Sequence, residues 1–299
     1  MSIENPRVSI GLPVYNAEKY LEDALKAILA QTYTDFELII SDNASTDRTA
    51  EICKSYAAID QRIRYFRNEK NLGVAKNYNR TVELARGEYF RWATYDDFIA
   101  PQLLAKSVPV LDREPEVVLC YPKTMNIDDD GNVLGEYEDN FNFQSPNPVH
   151  RYRELMRHLV DYDCNAEYGL IRRKMLLKTA MEQNYHSADR VLLSELVLHG
   201  KFYEIPECLF YHRLHSQIST KVNMTGSQFA GWMNPAQKKR IDLTRFRRFI
   251  EFIKAIHRSP LNMSQRFSCY CSLFRFYLSG DKWKRLAQRL GAAFRRTSE

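Results

Sequence analysis

Val8-Ser9-Ile10-Gly11-Leu12, running into Pro13-Val14-Tyr15-Asn16, is a short apolar stretch that ends in turn residues, and the same unit recurs down the first hundred positions. Phe36 to Ile40, Ile63 to Phe66 and Glu88 to Ala93 read as further strands. Between the first two, Tyr20, Leu21, Ala24, Leu25 and Ile28 recur at three- and four-residue spacing, which predicts a helix with one apolar face lying on a sheet. Asp47 is the cap expected for a second helix through Tyr56, and Gly73 to Arg86 reads as a third that Gly87 closes. Strands alternating with helices predict an α/β fold built on a mostly parallel sheet.

Further along, a helix is expected from Pro101 to Arg113, a strand from Val117 to Tyr121, and a hairpin turn at Asp130-Gly131. Asn140 to Val149, with Pro146, Pro148 and several Asn, reads as an exposed loop and a soft boundary. Arg151 to Val160, Arg173 to Met181 and Ala188 to His199 are expected helices, Phe202 to Ile205 and Leu209 to Leu214 expected strands, and everything from Pro235 onward reads as helical.

The 299 residues suffice for one large α/β domain with an appendage, or for two smaller domains. No stretch approaches the roughly 20 apolar residues of a membrane span, and the opening residues lack a secretory pattern, so the expected compartment is the cytoplasm. Six scattered cysteines, without CxxC or zinc-type spacing, are expected to be reduced. Of the net charge of +6, Met233 to Glu299 carries 16 Lys or Arg against 4 Asp or Glu, which leaves the rest of the chain acidic. Such a segment faces an anionic surface or is a solvated helical face.

In an open α/β sheet, ligands sit beyond the carboxyl ends of the strands. Four places qualify: Pro13 to Asn16, Ser41 to Asp47, Asn71-Leu72-Gly73, and Tyr95-Asp96-Asp97. Taken singly, the first three also read as turns and helix caps. Adjacent carboxylates after an apolar strand repel one another unless a cation or hydrogen bonds offset them. Hard carboxylate oxygens suit Mg or Mn, held jointly with the phosphates of a substrate.

Pro13-Val14-Tyr15-Asn16, Gln31-Thr32-Tyr33, Phe36-Glu37-Leu38-Ile39, Ser41 to Asp47, Asn71-Leu72-Gly73, Gly87-Glu88-Tyr89 and Asp96-Asp97, in that order, resemble the family 2 glycosyltransferases with the GT-A fold. The similarity covers residues 7 to 120 closely and extends weakly to about residue 220. It implies a GT-A mixed sheet flanked by helices and an inverting transferase that uses a nucleoside-diphosphate sugar with Mg or Mn. By the same resemblance Pro13, Val14, Tyr15 and Asn16 border a uridine or thymidine, and Asp42 hydrogen-bonds the base. Asn71 and Gly73 line the donor site, Asp96 faces the ribose or donor sugar, and Asp97 is the metal ligand. Asn43 departs from the second Asp that many members carry, and Ala93-Thr94-Tyr95-Asp96-Asp97 departs from the more usual Asp-x-Asp-Asp. Downstream, Ser187-Ala188-Asp189-Arg190 is similar to the acceptor-side segment of the family, whose Glu-Asp pair supplies the base; here only Asp189 is present. Without the resemblance, Asp189 reads as a first-turn helix residue interacting with the dipole. His212, Arg213 and His215 are candidates for the diphosphate or metal, and equally ordinary loop residues.

The resulting division is 1–139 for the nucleotide-sugar part, 140–232 for the acceptor part of the same domain, and 233–299 for a basic helical region. In that region Phe246, Phe249, Ile250, Ile253 and Ile256 form one apolar stripe, and Phe267, Tyr270, Leu273, Phe274 and Tyr277 another. They either pack as core or, across residues 238–296, rest on anionic lipid at the inner face of the cell membrane. The expected acceptor is a glycan or lipid-linked sugar in cell-surface polysaccharide synthesis. Nucleic acid is not an expected partner. A nucleotidyltransferase is disfavoured because Gly11-Leu12-Pro13-Val14-Tyr15 is not a basic, Gly-rich triphosphate loop, and the remaining rival is a non-catalytic basic binding protein.

Overall fold

The computed structural model describes residues 5–159, 164–215 and 244–278. Its first half is β1 (Val8–Val14), α1 (Leu21–Leu29), β2 (Phe36–Asp42), α2 (Thr49–Ile59), β3 (Ile63–Arg67), α3 (Val74–Leu84) and β4 (Tyr89–Trp92). There follow β5 (Phe98–Ile99), α4 (Leu103–Arg113), β6 (Val117–Ile127), β7 (Val133–Tyr137) and α5 (Pro148–His158). A 3-10 turn (Asn165–Tyr168), β8 (Leu170–Arg172), the one-turn α6 (Arg173–Leu176), α7 (Ala188–His199) and β9 (Lys201–Arg213) complete the sheet region. Two further helices, α8 (Thr244–Arg258) and α9 (Met263–Leu278), follow.

The strands join into one mixed sheet in the order β3-β2-β1-β4-β8-β6-β9-β5, with β7 added against β6. β1, β2, β3 and β4 are parallel, whereas β8 enters antiparallel to both β4 and β6. Every residue of β1 and β2 is buried, as a central parallel strand covered on both faces requires. On one face Leu21, Leu25 and Ile28 of α1 and Leu104, Val108 and Leu111 of α4 pack with Ile10, Leu12, Leu38 and Ile40. On the other, Phe90, Trp92 and Leu119 meet Tyr152 and Leu155 of α5, Leu193 and Val197 of α7, and Phe252 and Ile256 of α8. Gly11 permits the close seat of α3: a Cβ there would lie 2.4 Å from Thr81 Oγ1 and 2.7 Å from Phe90. Among the described residues no helix is long and apolar enough to cross a membrane.

Several expected elements change. Asn140 to Val149 is not simply an exposed loop, because Phe141 and Phe143 are buried in the core and the Phe141 N–H donates to Tyr121 Oη at 2.9 Å. The expected helix from Arg173 shrinks to the single turn of α6. The two strands expected after His199 are one strand, β9, whose register against β6 skips Pro206 and Glu207. That bulge accommodates a proline which has no N–H for the ladder. α2 starts after Arg48, yet the Asp47 carboxylate still accepts the Thr49 N–H at 3.0 Å.

The basic C-terminal helices are in part core. Phe252, Ala255 and Ile256 of α8 and Cys269 and Leu273 of α9 are buried, and Phe249 meets Tyr277 edge-on at 5.0 Å between ring centres. The remainder of the basic region, 216–243 and 279–299, lies outside the described residues, as does Val160 of the expected helix. Arg258 of α8 grips Glu195 of α7 with two bonds of 2.7 and 2.8 Å, and Glu195 also accepts the Ala180 N–H at 3.2 Å. Glu195 is fully buried, so removing its cation strands a charge in the interior. Arg258→Ala is therefore expected to cost about 3 kcal/mol in urea unfolding, and the double variant E195Q/R258M to recover much of that loss.

Candidate active site

The chain lays β1, β2 and β3 outward and then returns to place β4 on the opposite side of β1, so the strand order switches between β1 and β4. That crevice is where an open α/β sheet holds a ligand. Across its rim Val14 pairs with Asp42 and Asp42 with Arg67. The turn after β1 is tied to the turn after β2: Asn16 N donates to Ser45 Oγ at 3.0 Å and Asn16 Oδ1 accepts the Thr46 N–H at 2.9 Å. Asn16 and Ala44 both adopt left-handed backbone, with φ of 49° and 62°. Such conformations persist only where surroundings enforce them, and they cluster at ligand sites.

Asp42 is fully buried at this rim. Its carboxylate accepts the Ser45 N–H at 2.8 Å and the Tyr65 hydroxyl at 2.7 Å, and Arg67 stands 3.8 Å away. Tyr15 is exposed beside it. Asn43 is a loop organiser: Oδ1 accepts from Asn68 and from the Leu72 N–H, while Nδ2 donates to Asn71 at 2.9 Å. Asn71 in turn accepts the Gly73 N–H at 2.8 Å, where Gly73 takes φ of +87° to open α3. An amide both donates and accepts, whereas a carboxylate at position 43 could accept from Asn68 and Leu72 but could not donate to Asn71.

The Asp96-Asp97 pair follows β4. Asp97 is only 5% exposed, and its Oδ1 accepts the Arg213 N–H at 2.9 Å and lies 3.0 Å from His212 Nδ1. Thr94 donates to its Oδ2 at 2.5 Å. Asp96 Oδ2 lies 3.0 Å from His215 Nε2. Burial pushes the Asp96 carboxyl up, His215 opposes this, and the neighbouring Asp97 charge adds to it. Arg213 donates from Nε to the Asp96 carbonyl at 3.0 Å and from its guanidinium to the carbonyls of Asp128 and Asp129. β5 against β9 sets this register, with Phe98 opposite Tyr211. Beneath the pair, Arg91 is fully buried; burial pulls its pKa down to about 10 and the Asp97 charge acts the other way.

Asp189 lies in the first turn of α7, after Ser187 with φ of 62°. Burial pushes its carboxyl up, while Arg190, His186 and Arg248 pull it down. Glu182 and Glu167 share its electrostatic environment. Burial and then the Asp189 charge push Glu182 up to about 8, and burial followed by Glu182 and Asp189 hold Glu167 well above the usual range. Glu182 is fixed by a backbone clasp to α3, donating to Asn79 Oδ1 at 3.0 Å and accepting from Asn79 Nδ2 at 2.9 Å. Its Oε1 is buried without a hydrogen-bond partner.

Residues 9–179 match the family model described as Glycosyl transferase family 2. The chain belongs to glycosyltransferase family 2. It is 34% identical over 178 residues to an uncharacterized glycosyltransferase of Methanocaldococcus jannaschii, an alignment covering 59% of each protein. It is 34% identical over 129 residues to a chondroitin synthase of Escherichia coli, covering 43% of this chain and 19% of that one. The chain thus spans well under two thirds of these relatives. Among solved structures, S. aureus TarS 1-349 in complex with UDP superposes with a TM-score of 0.66 at 16% identity, over 92% of this chain and 73% of TarS. The mannosyltransferase PcManGT from Pyrobaculum calidifontis, in complex with GDP-Man and Mn2+, gives 0.53 at 16% identity, over 97% and 80%. The fold is that of the GT-A glycosyltransferases.

For a family 2 member, the residues at the end of β4 fit a divalent cation. Among the described residues no group of three His, Cys, Asp or Glu forms a ready cage. One or two carboxylates completed by substrate phosphates is the usual Mg or Mn arrangement, and Asp97 with His212 offers oxygen and imidazole donors. The structure brings His212, Arg213 and His215 onto the Asp pair, and places Pro13, Val14, Asn16, Asp42, Asn71 and Gly73 along the β1 and β2 rim. Glu195, further along α7 from Asp189, is engaged by Arg258. Sequence reading missed Tyr65, Asn68, Arg91, Glu167 and Glu182, since none carries a local pattern tying it to its partner.

An acid whose folded pKa lies above its unfolded one keeps its proton longer when folded. The stability this gives is full below the ordinary Glu value of 4.5 and is lost as pH rises toward about 8. Glu182→Gln is therefore expected to flatten the fall in melting temperature across that window relative to the parent protein. An identical fall in both would remove Glu182 from the acidic trio.

Proposed function

We propose that this family 2 enzyme transfers a sugar from a nucleoside-diphosphate sugar, with UDP or dTDP as the nucleotide, to a hydroxyl of a glycan or lipid-linked acceptor. The transfer is a single displacement with inversion. The observation that carries the reading is the Asp96-Asp97 pair, half-buried and buried respectively, clasped by His215, His212 and Arg213 at the strand-order switch. The S. aureus TarS complexes with UDP and UDP-GlcNAc support a uridine nucleotide.

In this reading Pro13 to Asn16 and Asp42 hold the base, Asn71 and Gly73 line the donor site, and Asp96 faces the ribose or sugar. Asp97, with His212, Arg213 or His215 nearby, holds Mg or Mn. When bound, that cation supplies charge neutralisation to the departing diphosphate. Asp189 accepts the proton of the attacking hydroxyl, and its neighbours set its readiness. Burial raises the Asp189 carboxyl and Arg190, His186 and Arg248 oppose that rise, while burial and the Asp189 charge push Glu182 up to about 8. The setting is surface polysaccharide synthesis in the cytoplasm, with a peripheral contact of the basic region at the inner membrane face.

A panel of nucleotide sugars with Mn or Mg, read by slow release of nucleoside diphosphate, identifies the donor; no release from any of them would remove this reading. Asp97→Asn retains an acceptor for the Arg213 N–H and is expected to fold normally. In calorimetry it should lose the Mn-dependent part of nucleoside-diphosphate binding. Asp189→Asn is expected to lower the transfer rate by roughly 10²–10⁴-fold with donor affinity and melting temperature little changed. Near-normal turnover would place the base elsewhere.

A further inference from the structure

The packing of α9 splits the apolar stripe its sequence suggests and turns Phe267 and Phe274 outward with Met263 and Leu278. Tyr270 and Tyr277 pack against the core and Leu273 is buried in it. Met263, Phe267, Phe274 and Leu278 are exposed by 77, 68, 48 and 54%. With exposed Cys271 between them, they recur at steps of three and four and form one continuous ridge along the helix. Of the large apolar side chains exposed among the described residues, half lie on α8 and α9, Phe246 at the start of α8 being the fifth. Phe249 with Tyr277 and His257 with Tyr270 show the two helices to be antiparallel, so Phe246 lies at the same end of the pair as Leu278.

The charge on these two helices is mostly positive. α9 holds Arg266 and Arg275 and no acid, and α8 holds Arg245, Arg247, Arg248, Lys254 and Arg258 against the single Glu251. After Leu278 the sequence adds six Lys or Arg against two acids. Lys254 engages Glu251 and Arg258 engages Glu195, but Arg275 is exposed next to the ridge. An apolar ridge flanked by arginine matches a surface that is apolar inside and anionic at its face. A second copy docked ridge to ridge would bring the same positive charge against itself.

We infer that the exposed ridge of α9, formed by Met263, Phe267, Phe274 and Leu278 and flanked by Arg275, seats the protein on an anionic lipid bilayer. The apolar side chains enter the headgroup boundary while the arginines remain at the phosphates. The seat is joined to the acceptor side of the enzyme. α8 binds α7 through Arg258, and Arg247 both donates to the Asn184 carbonyl at 3.2 Å and stacks over Tyr185 just before Asp189. This deepens the proposed transferase reading by selecting lipid-linked acceptors, although the ridge itself does not depend on that reading.

The test is flotation of the full chain with phosphatidylcholine vesicles, with and without one quarter phosphatidylglycerol, beside donor hydrolysis, light scattering and melting temperature. The protein is expected to float with the anionic vesicles and to release as salt rises. M263S/F267S should lose at least about tenfold in partition, and Arg275→Glu several-fold, with donor hydrolysis and melting temperature unchanged. Equal vesicle binding by M263S/F267S overturns the inference, as does failure of the parent protein to float. A parent dimer that the double substitution splits assigns the ridge to a second copy, and a lowered melting temperature assigns it to this chain's own core; both overturn it. Donor hydrolysis is read separately, so its absence counts against the transferase reading and leaves the vesicle result standing.

Discussion

Two adjacent carboxylates in a partly buried loop are the constraint around which the molecule is arranged. Asp96 and Asp97 sit at the end of β4 with little water to solvate them, and an uncompensated pair would be expelled or neutralised. Compensation comes from more than a hundred residues further along the chain, where His212, the Arg213 backbone and His215 meet the two side chains. From below, the fully buried Arg91 faces the same charge and donates to the Tyr168 carbonyl. The short antiparallel pairing of β5 with β9 places the end of β9 where it is needed.

The same device links the two halves of the site. Arg91 fixes the turn that carries Glu167, and Asn79 of α3 fixes the segment that carries Glu182. Both acids share the environment of Asp189. A carboxyl that stays neutral at neutral pH can lie near a charged one without repelling it, and the raised Glu182 has that property beside Asp189. The elements that shape the crevice at the strand-order switch therefore also hold the acids around Asp189.

The C-terminal pair of helices serves two surfaces at once. Its inner face completes the core through Phe252, Ile256, Cys269 and Leu273, and Arg258 supplies the counter-charge that a buried Glu195 demands. Its outer face is left apolar and basic. Removing this region would withdraw a counter-charge and a packed face together, so it is part of the folded unit.

The parallel α/β half was legible in the sequence because its signals are local. Apolar runs of Val8 to Leu12 and Phe36 to Ile40 bury on both faces, the spacing of Leu21, Leu25 and Ile28 makes one helix face, and turn residues mark each strand end. The ordered motifs there identified the family. Only the tertiary structure decided which side chains satisfy Asp42, Asn43 and Asp97, because Tyr65, Asn68 and His212 reach them through sheet register rather than sequence spacing. It also decided the acidic trio, whose pKa values come from shared burial, and the outward ridge of α9. Period alone grouped Phe267, Tyr270, Leu273, Phe274 and Tyr277 as one stripe, and contact with α8 and α5 decided which of them to bury, as hydrophobic burial selects a face only once a partner surface exists.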